Sequence, residues 1–147
     1  MYSVFTSSQT SATPLKYNNG QLKIMHIPDT HYYFDNVDAS VRLLEIACDR
    51  EKPDIVIVTG DNVDNCDDAK DTKYLIDRLM TVFDKRGITC AITFGNHDSE
   101  RGAMSREELM AYYNTHSSSI SVDDGDELSG CGTYNSQSIR RLRRCTK

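Results

Sequence analysis

Three short apolar runs, at residues 22–27, 54–59 and 89–94, interrupt an otherwise polar chain. The second run, DIVIVT, is continuous and rich in β-branched residues, which is typical of a strand that is covered on both faces. The other two runs have a similar length and predict two further strands.

Between these runs, apolar residues recur at the three- and four-residue spacing of an amphipathic helix. Pro53 ends the first such segment and Gly87 ends the second. A third helix is predicted to begin at Ser105, with Glu108 three residues later as its capping box. The repeating apolar positions of the first two helices are Val37, Val41, Leu44 and Cys48, and Leu75, Leu79 and Phe83.

The predicted order is therefore β-α-β-α-β-α. Strands that alternate with helices favour a mostly parallel sheet joined by right-handed crossovers, so the fold class is α/β. In such a sheet the loops at the carboxyl ends of the strands share one edge, and ligands bind there. The residues that directly follow each strand are consequently the candidates for chemistry.

Each of the three strands is followed by a polar loop. These loops read PDTH at residues 28–31, GDN at 60–62 and GNHD at 95–98. Carboxylate, imidazole and amide ligands without thiolates suit Mn²⁺, Fe²⁺ or Zn²⁺. Gly60 and Gly95 would let the backbone turn where a side chain would obstruct a metal ion or a substrate. Three such loops at one edge predict a metal site.

The spacing within the loops predicts how the ligands could share ions. Asp29 and His31 are two residues apart, so in extended backbone they point the same way and can bind one ion. Asp61 has two carboxylate oxygens and could bridge two ions roughly 3.5–4 Å apart. Asn96 offers a neutral carbonyl oxygen to the second ion.

The blocks IPDTH, VTGDN and FGNHDSE together resemble the calcineurin-like metallophosphoesterase superfamily. The continuation SERGAMSREELMAYY and the later GCGTYN are most similar to its purple-acid-phosphatase-like branch. The resemblance covers residues 21–135 and implies the β-α-β-α-β half of a layered α/β/β/α sandwich. It also implies a site for two divalent metal ions, held by Asp29, His31, Asp61 and Asn96.

The same resemblance implies that His97 faces the substrate, where it stabilises the phosphoryl group or protonates the leaving oxygen, while Asp98 orients its ring. True purple acid phosphatases bind ferric iron through a tyrosine three residues after the bridging aspartate. Asp64 occupies that position here, so we expect a divalent pair and no iron–tyrosinate centre.

The later histidines of the superfamily have no counterpart in this sequence. After GNHD the remaining histidine is His116, which we interpret as a surface or helix-terminal residue. The C-terminal half of the domain is therefore expected to be missing. Such a half-domain would have an open sheet edge through which two chains could associate, and it would expose an apolar face.

Composition narrows the remaining choices. The net charge is −5, and residues 140–147 contain five of the seventeen basic residues and no acidic one. The acidic remainder argues against a nucleic-acid partner. Five widely spaced cysteines without a C-x-x-C pair predict reduced thiols and a cytoplasmic protein. No apolar run reaches the roughly 20 residues of a membrane helix. Residues 1–20 are predicted to form a flexible arm, and residues 136–147 a basic, irregular tail.

Three functions fit these observations. The first is a metal-dependent phosphoesterase, in particular a phosphatase that acts on phosphomonoesters. The second is a metal-binding or interaction remnant that cannot turn over alone, which the missing histidines favour. The third is a cyclic-nucleotide phosphodiesterase or a nuclease of the same superfamily, and the acidic body argues against the nuclease.

Overall fold

The computed structural model describes residues 20–63, 66–101, 103–121 and 131. The tail predicted at residues 136–147, and the arm predicted at 1–20 except Gly20, lie outside these described residues. Both remain predictions.

The order of elements is the one expected. The strands are β1 (Ile24–Ile27), β2 (Ile55–Thr59) and β3 (Thr89–Thr93), and the helices are α1 (Val37–Glu51), α2 (Ala69–Asp84) and α3 (Arg106–Tyr113). A short 3-10 helix, His97–Ser99, lies between β3 and α3. The strands form one open parallel sheet in the order β1-β2-β3, which confirms the α/β class.

Only one face of the sheet is covered by helices in the described residues. Right-handed crossovers between strands in sequential order place successive helices on the same face, and α1 packs against α2, which contacts α3. On that face Val56 and Val58 are fully buried. On the other face Ile57 is only half-buried and Thr59 is exposed. Ile55, which shares this second face, is nevertheless buried. In the described residues, helices therefore cover DIVIVT on one face, and coverage of the other face by further elements stays a prediction.

The helix boundaries follow local capping rules. Helix α1 ends before Lys52, which adopts the left-handed conformation (φ 47°) and donates its N–H to the Cys48 carbonyl. Asp68 is the N-cap of α2 and accepts a hydrogen bond from the Asp71 N–H. The capping box predicted at the start of α3 is present in both directions. Among the described residues, no helix is both long and apolar enough to cross a membrane.

Candidate metal centre

The loops after β1 and β2 run side by side beyond the ends of their strands. The Asp29 N–H donates to the Gly60 carbonyl (3.2 Å), and the His31 N–H donates to the Asp61 carbonyl (2.8 Å). The parallel pairing of the two strands is thus carried into the loops. This pairing fixes the first two predicted ligands against the third.

Asp29, His31 and Asp61 form a cluster that could hold a metal ion. One ligand atom from each residue lies within 4.8 Å of those of the other two. Asp29 is exposed, whereas His31 and Asp61 are half-buried. Two carboxylates and one imidazole, open to solvent on one side, form a donor set that fits a divalent transition metal.

All three residues of this cluster have a positive φ. The values are 50° for Asp29, 41° for His31 and 49° for Asp61. Residues other than glycine rarely adopt this region, although Asp and His do so more readily than most. Strained backbone of this kind persists only where the surrounding structure holds it in place, and it is found most often at functional sites.

Two glycines allow the second and third loops to approach closely. A Cβ on Gly60 would lie 2.8 Å from the Gly95 Cα and would also meet the Gly95 nitrogen. A Cβ on Gly95 would lie 2.6 Å from Asp61 Cγ and 2.7 Å from its backbone nitrogen. The sequence predicts that Gly60 and Gly95 leave room for a metal ion or a substrate. In the structure the room is used by the neighbouring loop and by the Asp61 carboxylate.

Asp98 joins the same two loops through their backbones. Its Oδ2 accepts hydrogen bonds from the Asp61 N–H (2.7 Å) and the Gly95 N–H (2.8 Å). Its Oδ1 accepts hydrogen bonds from the backbone N–H groups of Asn62 (2.8 Å) and Val63 (3.4 Å). Burial raises the pKa of Asp98, and the backbone N–H donors offset part of that rise. The carboxylate therefore determines where Asp61 lies in the site.

The contact expected between Asp98 and the ring of His97 is replaced by another. The His97 Nδ1 lies 2.5 Å from Oε2 of Glu100, the C-cap residue of the 3-10 helix. The backbone N–H of His97 donates to Asp61 Oδ1 (2.8 Å). The ring itself lies edge-on to His31, with centroids 5.3 Å apart. The two oxygens of Asp98 instead accept backbone N–H groups, from Asp61 and Gly95 at Oδ2 and from Asn62 and Val63 at Oδ1.

Two asparagines of the motifs have different surroundings. Asn96 is exposed and directly precedes His97, so its role as a ligand of a second ion stays a prediction. Asn62 is fully buried, and its side-chain Nδ2 donates to the Thr93 carbonyl (3.2 Å). Asn62 thus links the end of β2 to the end of β3.

His116 lies outside the cluster and is not a surface residue. Its side chain is only 12% exposed, and its Nδ1 and Nε2 lie 2.8 and 3.2 Å from oxygens of Asp84 and Asp77 on α2. Burial alone would raise the pKa of Asp84, but hydrogen bonds from His116 and the following serines outweigh it, so this pKa is lowered. Of the two roles we expected for His116, the helix-terminal one fits, because it lies just after α3, and the surface one is wrong, because the segment after α3 folds back onto α2.

The family model for calcineurin-like phosphoesterases matches residues 22–142. The chain belongs to this family. The predicted superfamily and its purple-acid-phosphatase-like branch are thereby confirmed, since relatives of that branch also match.

Two relatives of this calcineurin-like phosphoesterase come from Arabidopsis thaliana. The protein named "Probable inactive purple acid phosphatase 14" is 30% identical over 145 aligned residues, which cover 84% of this chain and 36% of the relative. The protein named "Probable inactive purple acid phosphatase 28" is 26% identical over 125 aligned residues, which cover 74% of this chain and 31% of the relative. An uncharacterised protein of Schizosaccharomyces pombe is 32% identical over 92 aligned residues, which cover 63% of this chain and 17% of the relative. The chain spans about a third or less of the length of these relatives.

Proposed function

We propose that this phosphoesterase binds two divalent metal ions at the edge of its sheet and hydrolyses phosphomonoesters. The observation that carries the proposal is the convergence of Asp29, His31 and Asp61 on one small volume. These residues come from two different loops, and an exposed acidic cluster without function would not require strained backbone at every member.

The donor set decides which ions are expected. Oxygen and imidazole donors without thiolates suit Mn²⁺, Fe²⁺ or Zn²⁺. Asp61 would serve both ions through its two carboxylate oxygens, and Asn96 would complete the second position. Bound ions would supply the positive charge that neutralises the charge developing on a transferred phosphoryl group.

The chain's own residues would position and assist the substrate. Asp61 is held from two sides, by the N–H of His97 at its carboxylate and by Asp98 at its backbone. The His97 ring is 38% exposed and borders His31, so it can reach a ligand at the site and exchange a proton with it. The acidic composition favours a small phosphate ester over a nucleic acid as the substrate.

A second function, metal binding or protein interaction without turnover, has support of its own. Relatives that match most of this chain are named inactive, and the chain spans about a third of their length. Ile24 on β1, the outer strand of the described sheet, and Leu43 on α1 also expose apolar side chains. Association of two chains through this edge belongs to the second proposal.

Metal-stripped protein tests both proposals. Metal binding and hydrolysis of an aryl phosphate are measured with and without added Mn²⁺ in the wild type, in Asp61→Asn and in Asp67→Asn. The latter makes the same change at an exposed carboxylate that pairs with Arg101. Manganese-dependent turnover that only Asp61→Asn loses supports the enzyme. Binding without turnover supports the second function. Absence of metal binding in folded wild type contradicts the enzyme and the metal-binding form of the second function, and leaves protein interaction as the remaining proposal.

A further inference from the structure

We infer that Glu100 is the positioning residue for His97, which fixes the orientation of the ring and its tautomer. The inference rests on the proposed function, in which His97 faces the substrate. It assigns to Glu100 the part that the family motif suggested for Asp98. Glu100 is the last residue of the block FGNHDSE and lies directly after the 3-10 helix.

The 3-10 geometry explains why Glu100 can reach the ring. Side chains three residues apart eclipse one another in this helix, so residue 100 lies over residue 97. The Glu100 N–H donates to the His97 carbonyl (3.4 Å), which holds the turn closed. The Glu100 Oε2 then lies 2.5 Å from Nδ1 of the ring. Backbone and side chain of Glu100 thus bind the same residue.

The carboxylate of Asp98 is not available for this contact. It accepts hydrogen bonds from the backbone N–H groups of Gly95 and Asp61 at one oxygen and of Asn62 and Val63 at the other, so each oxygen already has two donors. An aspartate next to the histidine in sequence is consequently committed to the loops. The more distant carboxylate is the one that contacts the imidazole.

The contact has a chemical consequence for the ring. A carboxylate at Nδ1 requires the proton there, because the hydrogen bond made by one ring nitrogen decides the state of the other. Nε2 is then the nitrogen that can exchange a proton with a bound ligand. Glu100 is 59% exposed, and an exposed pair adds little to stability. The contact is therefore suited to orientation and contributes little to folding.

The tautomer can be measured without metal or substrate. Two-bond ¹⁵N–¹H spectra of the metal-free, full-length chain are recorded at a pH where the ring is neutral, and the His97 signals are assigned from a His97→Asn variant. We expect the Nδ1–H tautomer in the wild type and a shift towards Nε2–H in Glu100→Ala. Glu45→Ala removes a carboxylate from α1 and serves as the matched control, with an unchanged His97 tautomer. An Nε2–H ring in the wild type, or the same tautomer in Glu100→Ala, would overturn the inference.

A kinetic measurement tests whether Glu100 also affects turnover. In manganese-loaded protein that turns over, Glu100→Ala should lower kcat about 10-fold with KM unchanged, as expected for loss of an orienting partner. An unchanged kcat would overturn the positioning role. If the wild type shows no turnover, the proposed function fails by itself, and the tautomer still decides the inference.

Discussion

The close approach of the second and third loops can be tested by alanine substitution at three glycines. The three variants distinguish the free-energy cost of a left-handed backbone from the cost of a steric clash. Gly87 has a positive φ of 61° and open space around its Cα, so Gly87→Ala introduces only the backbone cost. Gly95→Ala introduces only the steric cost, because a Cβ there would meet Asp61. Gly60→Ala introduces both, since φ is 98° and the new Cβ would meet backbone atoms of Gly95 and Phe94.

The magnitudes follow from these contacts. A left-handed conformation costs a residue with a Cβ roughly 1–2 kcal/mol, and the lower entropy of the unfolded chain returns about 0.4–1 kcal/mol of that. Gly87→Ala should therefore lose about 1 kcal/mol of unfolding free energy. At Gly60 the obstacle is backbone, which cannot rotate away, so the loops must separate. The Asp98 hydrogen bonds to the Gly95 and Asp61 N–H groups would then weaken. Loss of those bonds brings the expected total to about 3–5 kcal/mol.

Urea unfolding followed by far-UV circular dichroism is the suitable assay, because the chain contains no tryptophan. Manganese binding to the folded fraction is the second readout. We expect Gly95→Ala to weaken metal binding most in relation to its loss of stability, since its Cβ would displace the Asp61 carboxylate itself. Equal losses of stability in Gly60→Ala and Gly87→Ala would refute the reasoning, and so would metal binding by Gly95→Ala that equals the wild type.

Three further predictions concern the scaffold. Lys52→Gly should raise the unfolding free energy by about 1 kcal/mol, because glycine adopts the left-handed helix end without strain, and an unchanged urea midpoint would contradict this. Ser105→Ala should cost about 1 kcal/mol through loss of the capping box with Glu108, and the same assay would disprove it by showing no loss. The lowered pKa of Asp84 means that its contribution to stability is present above the ordinary aspartate pKa and is lost as the pH falls through the folded-state value. Asp84→Asn should therefore lose less stability on acidification than the wild type. Identical profiles of unfolding free energy against pH in the two proteins would count against this role. A His116→Ala variant whose profile equals that of the wild type would also count against it.

The sequence was a good guide where the signal is local. The β-branched run of β2, the three- and four-residue spacing of α1 and α2, and the capping box at Ser105 each depend on residues within a few positions of one another. Propensity and capping act over that range, so the order and type of the elements could be predicted. The convergence of the three loops on one edge followed from the parallel order.

The roles of Asp98 and Glu100 were not accessible in the same way. Asp98 accepts hydrogen bonds from residues 61 and 62, more than thirty positions earlier in the chain, and no local pattern specifies such a partner. Because the Asp98 carboxylate accepts those hydrogen bonds, the carboxylate that contacts the His97 ring is that of Glu100. The spacing of one 3-10 turn between His97 and Glu100 was a usable signal, but only if the 3-10 helix was known.

The sequence by itself determined the elements, their alternation and the identity of the polar residues at the strand ends, because these depend on local conformational preference. The tertiary structure decided the left-handed backbone of Asp29, His31 and Asp61, the close contact of Gly60 with the third loop, and the face of the sheet on which the described helices pack. These features need segments that are distant in the chain to meet. Their energies come from packing and hydrogen bonds between loops, which no window of sequence contains.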